Sequence, residues 1–242
     1  MRLKKEILRL LCLFLVVLIP LTSCIRDKRW FYNPSHGTTR PPLLAKTLVV
    51  YPFSDQRNDE VNSNLWCFLP FVISCETKDP RPEKLPKHAF SKRWTFSPSE
   101  DIAKGFSIEL QGHHLFKKVE YSTMKYDTAK IPADLALHGT LHSTVYEQDL
   151  MTYGLSILGA VFAWSVGAPI FTVGNHLAFE IAIHDQASGR VIWENVYEGE
   201  FENYASPFYR WRPLDFSYDK LLAKMMPAIL ADLEYAMSVT AF

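Results

Sequence analysis

The chain has 242 residues, 48% hydrophobic and 14% aromatic, and its 26 Lys+Arg balance 26 Asp+Glu. These values exclude a disordered tail, a collagen-like repeat and a strongly basic nucleic-acid binder, and four cysteines are too few for a disulfide-framework miniprotein. A chain this long buries a substantial core in one domain, with two possible. At its start Arg2, Lys4, Lys5 and Arg9 form a basic segment, Leu10 to Ile19 an apolar one, and Pro20 breaks the run. That order reads as an export signal over residues 1–23. The apolar run of about ten residues is too short to span a bilayer, which takes about 20.

Leu21-Thr22-Ser23-Cys24 closes the signal and resembles the lipobox of bacterial lipoproteins. The resemblance implies cleavage before Cys24 and acylation of its thiol and amine. Each buried methylene adds about 0.8 kcal/mol, so several long chains hold a protein on a membrane almost irreversibly. Ile25 and Arg26 follow, where that family's inner-membrane retention signal often places Asp, so the resemblance favours the outer membrane, with the body facing the periplasm. Cleavage removes four bases and one acid and leaves 22 Lys+Arg against 25 Asp+Glu, a net of −3. Such a mildly acidic body offers no general field for polyanions. An ordinary signal peptide followed by a chance cysteine, or an uncleaved anchor, is the competing reading.

With Cys12 lost and Cys24 acylated, Cys67 and Cys75 are the remaining pair in an oxidising compartment and are expected to form a disulfide. A metal or redox role is disfavoured by a spacing that is not CxxC. Residues 24–45, with Pro34, Gly37, Pro41 and Pro42, read as a flexible tether ahead of a single domain over 46–242.

Thr47 to Phe53 is a β-branched and aromatic run and the expected first strand. Ser97-Pro98-Ser99-Glu100 reads as a capping box with proline at the first helical position; Ile102, Ala103, Phe106 and Leu110 recur on one face, and Gly112 supplies the stop. Leu115–Tyr121 is a short strand. Asp134 to Tyr146 alternates, as does Leu177 to Ile183, and after the turn Asp185–Gly189 a strand returns over Val191–Phe201. A helix from about Phe216 to Ala236 contains Pro227, where a kink or restart is expected. The order implies an α+β fold, a mainly antiparallel sheet of about five strands with two helices packed on it.

The segments "VVYPFSD", "LQGHHLFKKVEY", "ADLALHGTLHS" and "LAFEIAIHDQASGRVIWENVYEGEF", behind a lipobox, resemble periplasmic lipoproteins with the fold of the curli secretion channel family. The amino-terminal domain of the Tol system's propeller protein is similar. The resemblance spans roughly residues 46–238 and implies a scaffold, assembly or secretion role, some members forming rings.

Two apolar insertions depart from that pattern. Residues 65–75 include Trp66 and Phe68, and residues 150–174 include Leu155, Ile157, Leu158, Val161, Phe162 and Trp164; from Leu150 to Phe179 there is no Asp, Glu, Lys or Arg. Connections normally lie on the surface and are polar, so these need an apolar partner. Three readings stand for the second: a transmembrane helix over 151–173, a core helix or buried strand extension, or a hairpin whose tip dips into the membrane that holds Cys24. Trp66 and Phe68 would approach the same surface.

Catalytic motifs are missing: there is no GxSxG, P-loop, GxGxxG or HExxH. His138 and His142 share a strand face without a third ligand, His113-His114 follow a helix stop, and Glu194, Glu198, Glu200 and Glu202 share one face as a solvated acidic edge. Phe208, Tyr209, Trp211 and Phe216 beside Arg210 and Arg212 read as a packed loop or a partner patch. The expectation is a non-enzymatic, lipid-anchored assembly, scaffold or accessory-binding factor of the outer membrane, with no cofactor, metal or nucleic acid. Its partners would be the membrane, through Cys24 and in one reading residues 150–174, and an envelope protein or its own copies. The alternatives are a component of an oligomeric secretion pore or transporter, and a carrier or sensor of lipid.

Overall fold

The computed structural model describes residues 28–34, 41–63, 66–84, 94–124, 131–205 and 217–239. The export signal, Cys24 and the aromatic stretch from Phe208 to Phe216 lie outside these. The described strands are β1 (Lys28–Arg29), β2 (Leu44–Val50), β3 (Ser54–Asp55), β4 (Asn62–Ser63), β5 (Ser74–Asp79), β6 (Trp94–Thr95), β7 (Phe116–Tyr121), β8 (Leu135–Ser143), β9 (Tyr146–Met151), β10 (Phe171–Asp185) and β11 (Val191–Ala205). The helices are α1 (Pro98–Gly112), α2 (Ser156–Ser165) and α3 (Tyr218–Val239).

Nine strands form one mixed sheet, larger and less antiparallel than the five expected. β10 is its spine. On one side it pairs along its length with β11, and on the other with β8 (Ile181 opposite Gly139) and then β9 (Thr172 opposite Asp149), all antiparallel. β2 lies parallel to both β7 and β8, and β3 continues β2 along β8. The β2–β7 pairing is parallel because α1 carries the chain back to the start of the sheet between them. Beyond Tyr146, β5 pairs with β9 and β4 with β5, so the segment expected as a loop between the first strand and the first helix extends the sheet.

α1 and α3 cover one face. Alternation turns Leu135, Leu137 and Leu141 of β8 and Leu177, Phe179, Ile181 and Ile183 of β10 towards Phe106, Leu110, Leu222, Ile229 and Leu233, forming the main core. α1 spans Pro98–Gly112 as the sequence suggests, but the returning cap is Asp101, whose Oδ2 accepts from the Ser97 N–H at 2.7 Å, while Ser97 makes no side-chain cap bond. Gly112 is itself helical, and the left-handed residue past the end is His114, with φ 53°. Gly189 supplies the left-handed residue that closes the β10–β11 turn. α3 runs through Pro227 without restarting.

Part of the expected tether is packed onto the body. Trp30 and Tyr32 are buried, stacked on each other with centroids 6.2 Å apart, and Trp30 meets Phe96. Tyr32 donates to the buried Glu109 at 2.9 Å. Two large aromatics in a polar segment recover more by burial than the ordering of a few residues costs.

Candidate functional site

The connection from β9 to β10 is a hairpin capped by the ten-residue α2, about 15 Å long. Among the described residues no helix is long and apolar enough to cross a membrane. The strands either side of the insertion are neighbours in one sheet, so of the three readings the transmembrane helix is set aside.

The two insertions meet. The Phe71 N–H donates to the Gly154 carbonyl at 2.9 Å, the Thr152 N–H to the Ile73 carbonyl at 2.8 Å, and the Ser156 hydroxyl to the Phe68 carbonyl at 3.1 Å. The Thr152 hydroxyl also donates to the Val72 carbonyl. A short 3-10 turn, Trp66–Phe68, thereby lies against α2. Phe71, Tyr153 and Ser156 all hold left-handed φ values of 54° to 70°, a cost for non-glycine residues that the surrounding backbone bonds offset.

Only a small part of α2 packs inward: Gly159, Ala160 and Ala163 are its buried residues. A Cβ at Gly159 would collide with the Thr152 carbonyl, so glycine sets how closely the helix sits on the turn. Every apolar residue that the sequence singled out is exposed: Trp66, Phe68, Leu155, Ile157, Leu158 (72%), Val161, Phe162 and Trp164. Leu69, Phe71 (88%), Ile73 and Val166 join them, which sequence reading left unassigned because nothing in a run of apolar letters says which side faces out. The result is a continuous apolar tip at one end of the sheet. At its root Cys75 is buried and disulfide-bonded. The side chain of Cys67 lies outside the described residues.

The sheet face away from the helices carries the polar groups. His138 stacks on Tyr51 at 5.5 Å and meets His184 edge-on at 4.8 Å, packed against the sheet. His142 lies 3.3 Å from Glu180, and His176 bridges the Ser143 hydroxyl and Glu198, both at 2.7 Å. Glu180 is lowered and Glu194 raised in pKa, first by the hydrogen bond they share. At the end of α1 the His113 N–H donates to the Glu109 carbonyl at 3.0 Å, and its imidazole lies 3.3 Å from the buried Glu109 carboxylate.

Sequence reading missed a second feature on this face. Towards the tip, Glu147 and Asp149 of β9, Thr172, Gly174 and His176 of β10, and Glu200 and Glu202 of β11 line a cavity of about 390 Å³. Glu76 of β5 stands opposite Asp149 of β9, and one carboxylate oxygen each of Glu76, Glu147 and Asp149 lies within 4.8 Å of the others. Burial, then the nearby Glu147 and Glu202, raise the Asp149 pKa, while Lys78 opposes them. The alternation of Glu147 with Asp149 and of Glu200 with Glu202 was visible in the sequence; the register joining them was not.

No protein family model and no curated protein matches this sequence. Among solved structures, the crystal structure of protein XCC0632 from Xanthomonas campestris, of the DUF330 family, is similar with a TM-score of 0.48 and 6% identity, over 86% of this chain and 96% of that one. That likeness is weak, and nothing about function follows from it. These comparisons lend no support to the resemblance to the curli secretion channel family or to the Tol propeller protein's amino-terminal domain.

Proposed function

We propose that this protein is a lipid-anchored lipoprotein of the outer membrane, facing the periplasm, that works by binding rather than catalysis, as an assembly, scaffold or accessory factor. In this reading Cys24 carries the lipid, Cys67 pairs with Cys75 to brace the root of the tip, and the tip is a second contact with the same membrane. The observation that carries it is the joining of two separate insertions into one exposed apolar surface with Tyr153, Trp66 and Trp164 among its residues, aromatic types that suit a membrane interface.

The course of the amino-terminal segment supports the same orientation. β1 runs parallel to β6, Trp30 meets Phe96 just before α1, and Tyr32 reaches Glu109 further along that helix. The chain therefore enters the body at the amino-terminal end of α1. That end lies beside Phe53, at the level of Gly139, from which β8 and β9 run on towards the tip. Cys24 lies four residues before Lys28, no more than about 14 Å along an extended chain. In this reading the chain approaches the body from the side towards which β9 runs, so that a lipid on Cys24 and the tip address one bilayer. The cavity described above is lined by carboxylates and not by the apolar loops, which favours surface contact over carriage of an apolar ligand.

The test is flotation of residues 26–242, exported behind a cleavable signal without the lipidated cysteine, on phosphatidylethanolamine vesicles. The same protein carrying Leu158→Ser, Phe162→Ser and Trp164→Ser is compared. Flotation of the first alone supports the membrane contact. Failure of both to float overturns it and turns the tip towards a protein partner.

A further inference from the structure

The carboxylates above the tip raise a separate question, since folding has gathered like charges that nothing nearby fully neutralises. Glu76, Asp149 and Thr172 form one row across β5, β9 and β10, and Lys78, Glu147, Gly174 and Glu202 the next. Lys78 contacts Glu76 and lies 3.4 Å from Glu147 Oε2, but it is half-exposed and is one base among at least four acids. His176 is turned to Ser143 and Glu198 instead.

Thr172 is an independent pointer to a ligand. It is 7% exposed, it lines the cavity, and its hydroxyl has no hydrogen-bond partner. A buried hydroxyl left without a partner is destabilising, and its neighbour across the strands, Asp149, likewise has a buried Oδ1 without one among the described residues. Gly174 opens the floor beside them: a Cβ there would stand 3.3 Å from the Glu147 Cβ.

We propose that Glu76, Glu147, Asp149 and the Thr172 hydroxyl form a binding site for a divalent cation, with Ca²⁺ its best fit. The donors are all oxygens, the preference of a hard cation. Ca²⁺ takes oxygens at about 2.3–2.6 Å, so no two ligands of one ion stand more than about 4.6–5.2 Å apart, a limit that the three carboxylate oxygens, all within 4.8 Å of one another, already meet. Mg²⁺ demands a tighter octahedron and keeps more of its water, so it binds more weakly here. Glu202, facing Glu147 across Gly174, completes the rim. Lys78 swings outward when the cation enters.

The test is calorimetric titration of the full-length lipoprotein, in a non-ionic detergent, with CaCl₂ and separately with MgCl₂. One saturable Ca²⁺ site is expected, with a Kd of about 10⁻⁴–10⁻³ M, as in extracellular modules. Asp149→Asn should weaken it by about tenfold or more, and Thr172→Val, which keeps the shape and removes one oxygen, by about threefold or more. Lys78→Met should tighten it. Glu120→Gln, on β7 away from the cavity, should leave it unchanged. Circular dichroism and melting of each variant establish that it is folded; if Asp149→Asn is not, Thr172→Val and Lys78→Met decide the matter. The proposal is overturned if no saturable heat is seen by about 10 mM Ca²⁺. It is equally overturned if Thr172→Val binds as tightly as the parent, since a diffuse acidic surface would not sense that hydroxyl.

Discussion

Under α1 and α3, β8 and β10 turn Leu135, Leu137, Leu141, Phe179 and Ile181 inward, all buried. The same spine strand, followed to its other end beyond Asn175, pairs with β9, carries carboxylates on its neighbours, and leads into a tip whose apolar residues face outward. One half obeys the rule that large apolar side chains leave water, and the other breaks it. Three of the four non-glycine residues with left-handed φ among the described residues, Phe71, Tyr153 and Ser156, lie at the exception; the fourth, His114, follows α1. On the function proposed above, this joint departure is an interaction surface before its partner arrives. The difference teaches that hydrophobicity alone does not locate the core here; partnership with the helices does.

The contrast can be broken by mutation. Phe179→Ala should have the largest effect, about 3–5 kcal/mol lost in denaturant unfolding, because the ring meets Phe53, Phe106 and Tyr197 in a core that can only partly collapse. A loss below about 1 kcal/mol would mean that the helix-backed half is not the stabilising half.

Arg57 joins the two halves. It is 6% exposed, it makes paired contacts to Asp55 (2.8 and 2.9 Å) and to Glu83 (2.7 and 3.1 Å), and it donates to Thr144 at the β8–β9 junction. Arg57→Met removes the paired contact to Glu83 and leaves Asp55 to Arg81, which donates to its Oδ2 at 2.6 Å, and should cost about 3 kcal/mol or more, read from the same unfolding curves. Its pH signature is specific. The hydrogen bond from Arg57 holds the Asp55 carboxyl well below the usual range, against the opposing effect of burial. A lowered folded pKa gives stability that is present above the unfolded value of about 3.9 and is lost as pH falls towards the folded one. The parent should therefore lose stability progressively below about pH 4, and Arg57→Met should show a smaller acid loss, with the remainder held by the hydrogen bond from Arg81.

Tyr32→Phe should cost about 1–3 kcal/mol by withdrawing a donor from the buried Glu109. Proteolysis near residue 30 should accelerate with it if that segment is held by this bond. Smallest of all, Phe162→Ser at the tip should change unfolding stability by no more than about 0.5 kcal/mol while improving solubility. A large loss there would show that the tip is part of the core after all.

Local signals were legible where a few neighbouring residues suffice. Pro98 and Gly112 bracket α1, the alternation of Leu177, Phe179, Ile181 and Ile183 defines β10, and Gly189 closes its turn. Beyond that reach the reading thinned. The stretch between β2 and α1 looked like a long loop because β3, β4 and β5 are short and rich in polar residues; they are strands by virtue of β8 and β9 beside them. The apolar insertions were evident from composition, yet the same letters fit a membrane helix, a core helix or a tip.

The sequence by itself determined the local elements, the absence of charge from Leu150 to Phe179 and the presence of the carboxylates, because propensity, capping and alternation act over a handful of residues. Only the tertiary structure decided that Phe68 and Ser156 lie together, that Trp30 and Tyr32 pack onto α1, and that Glu76, Asp149 and Thr172 share one row. Those outcomes depend on strand register and on which face the helices cover. Both are set by the burial of the whole core, which no short window of sequence contains.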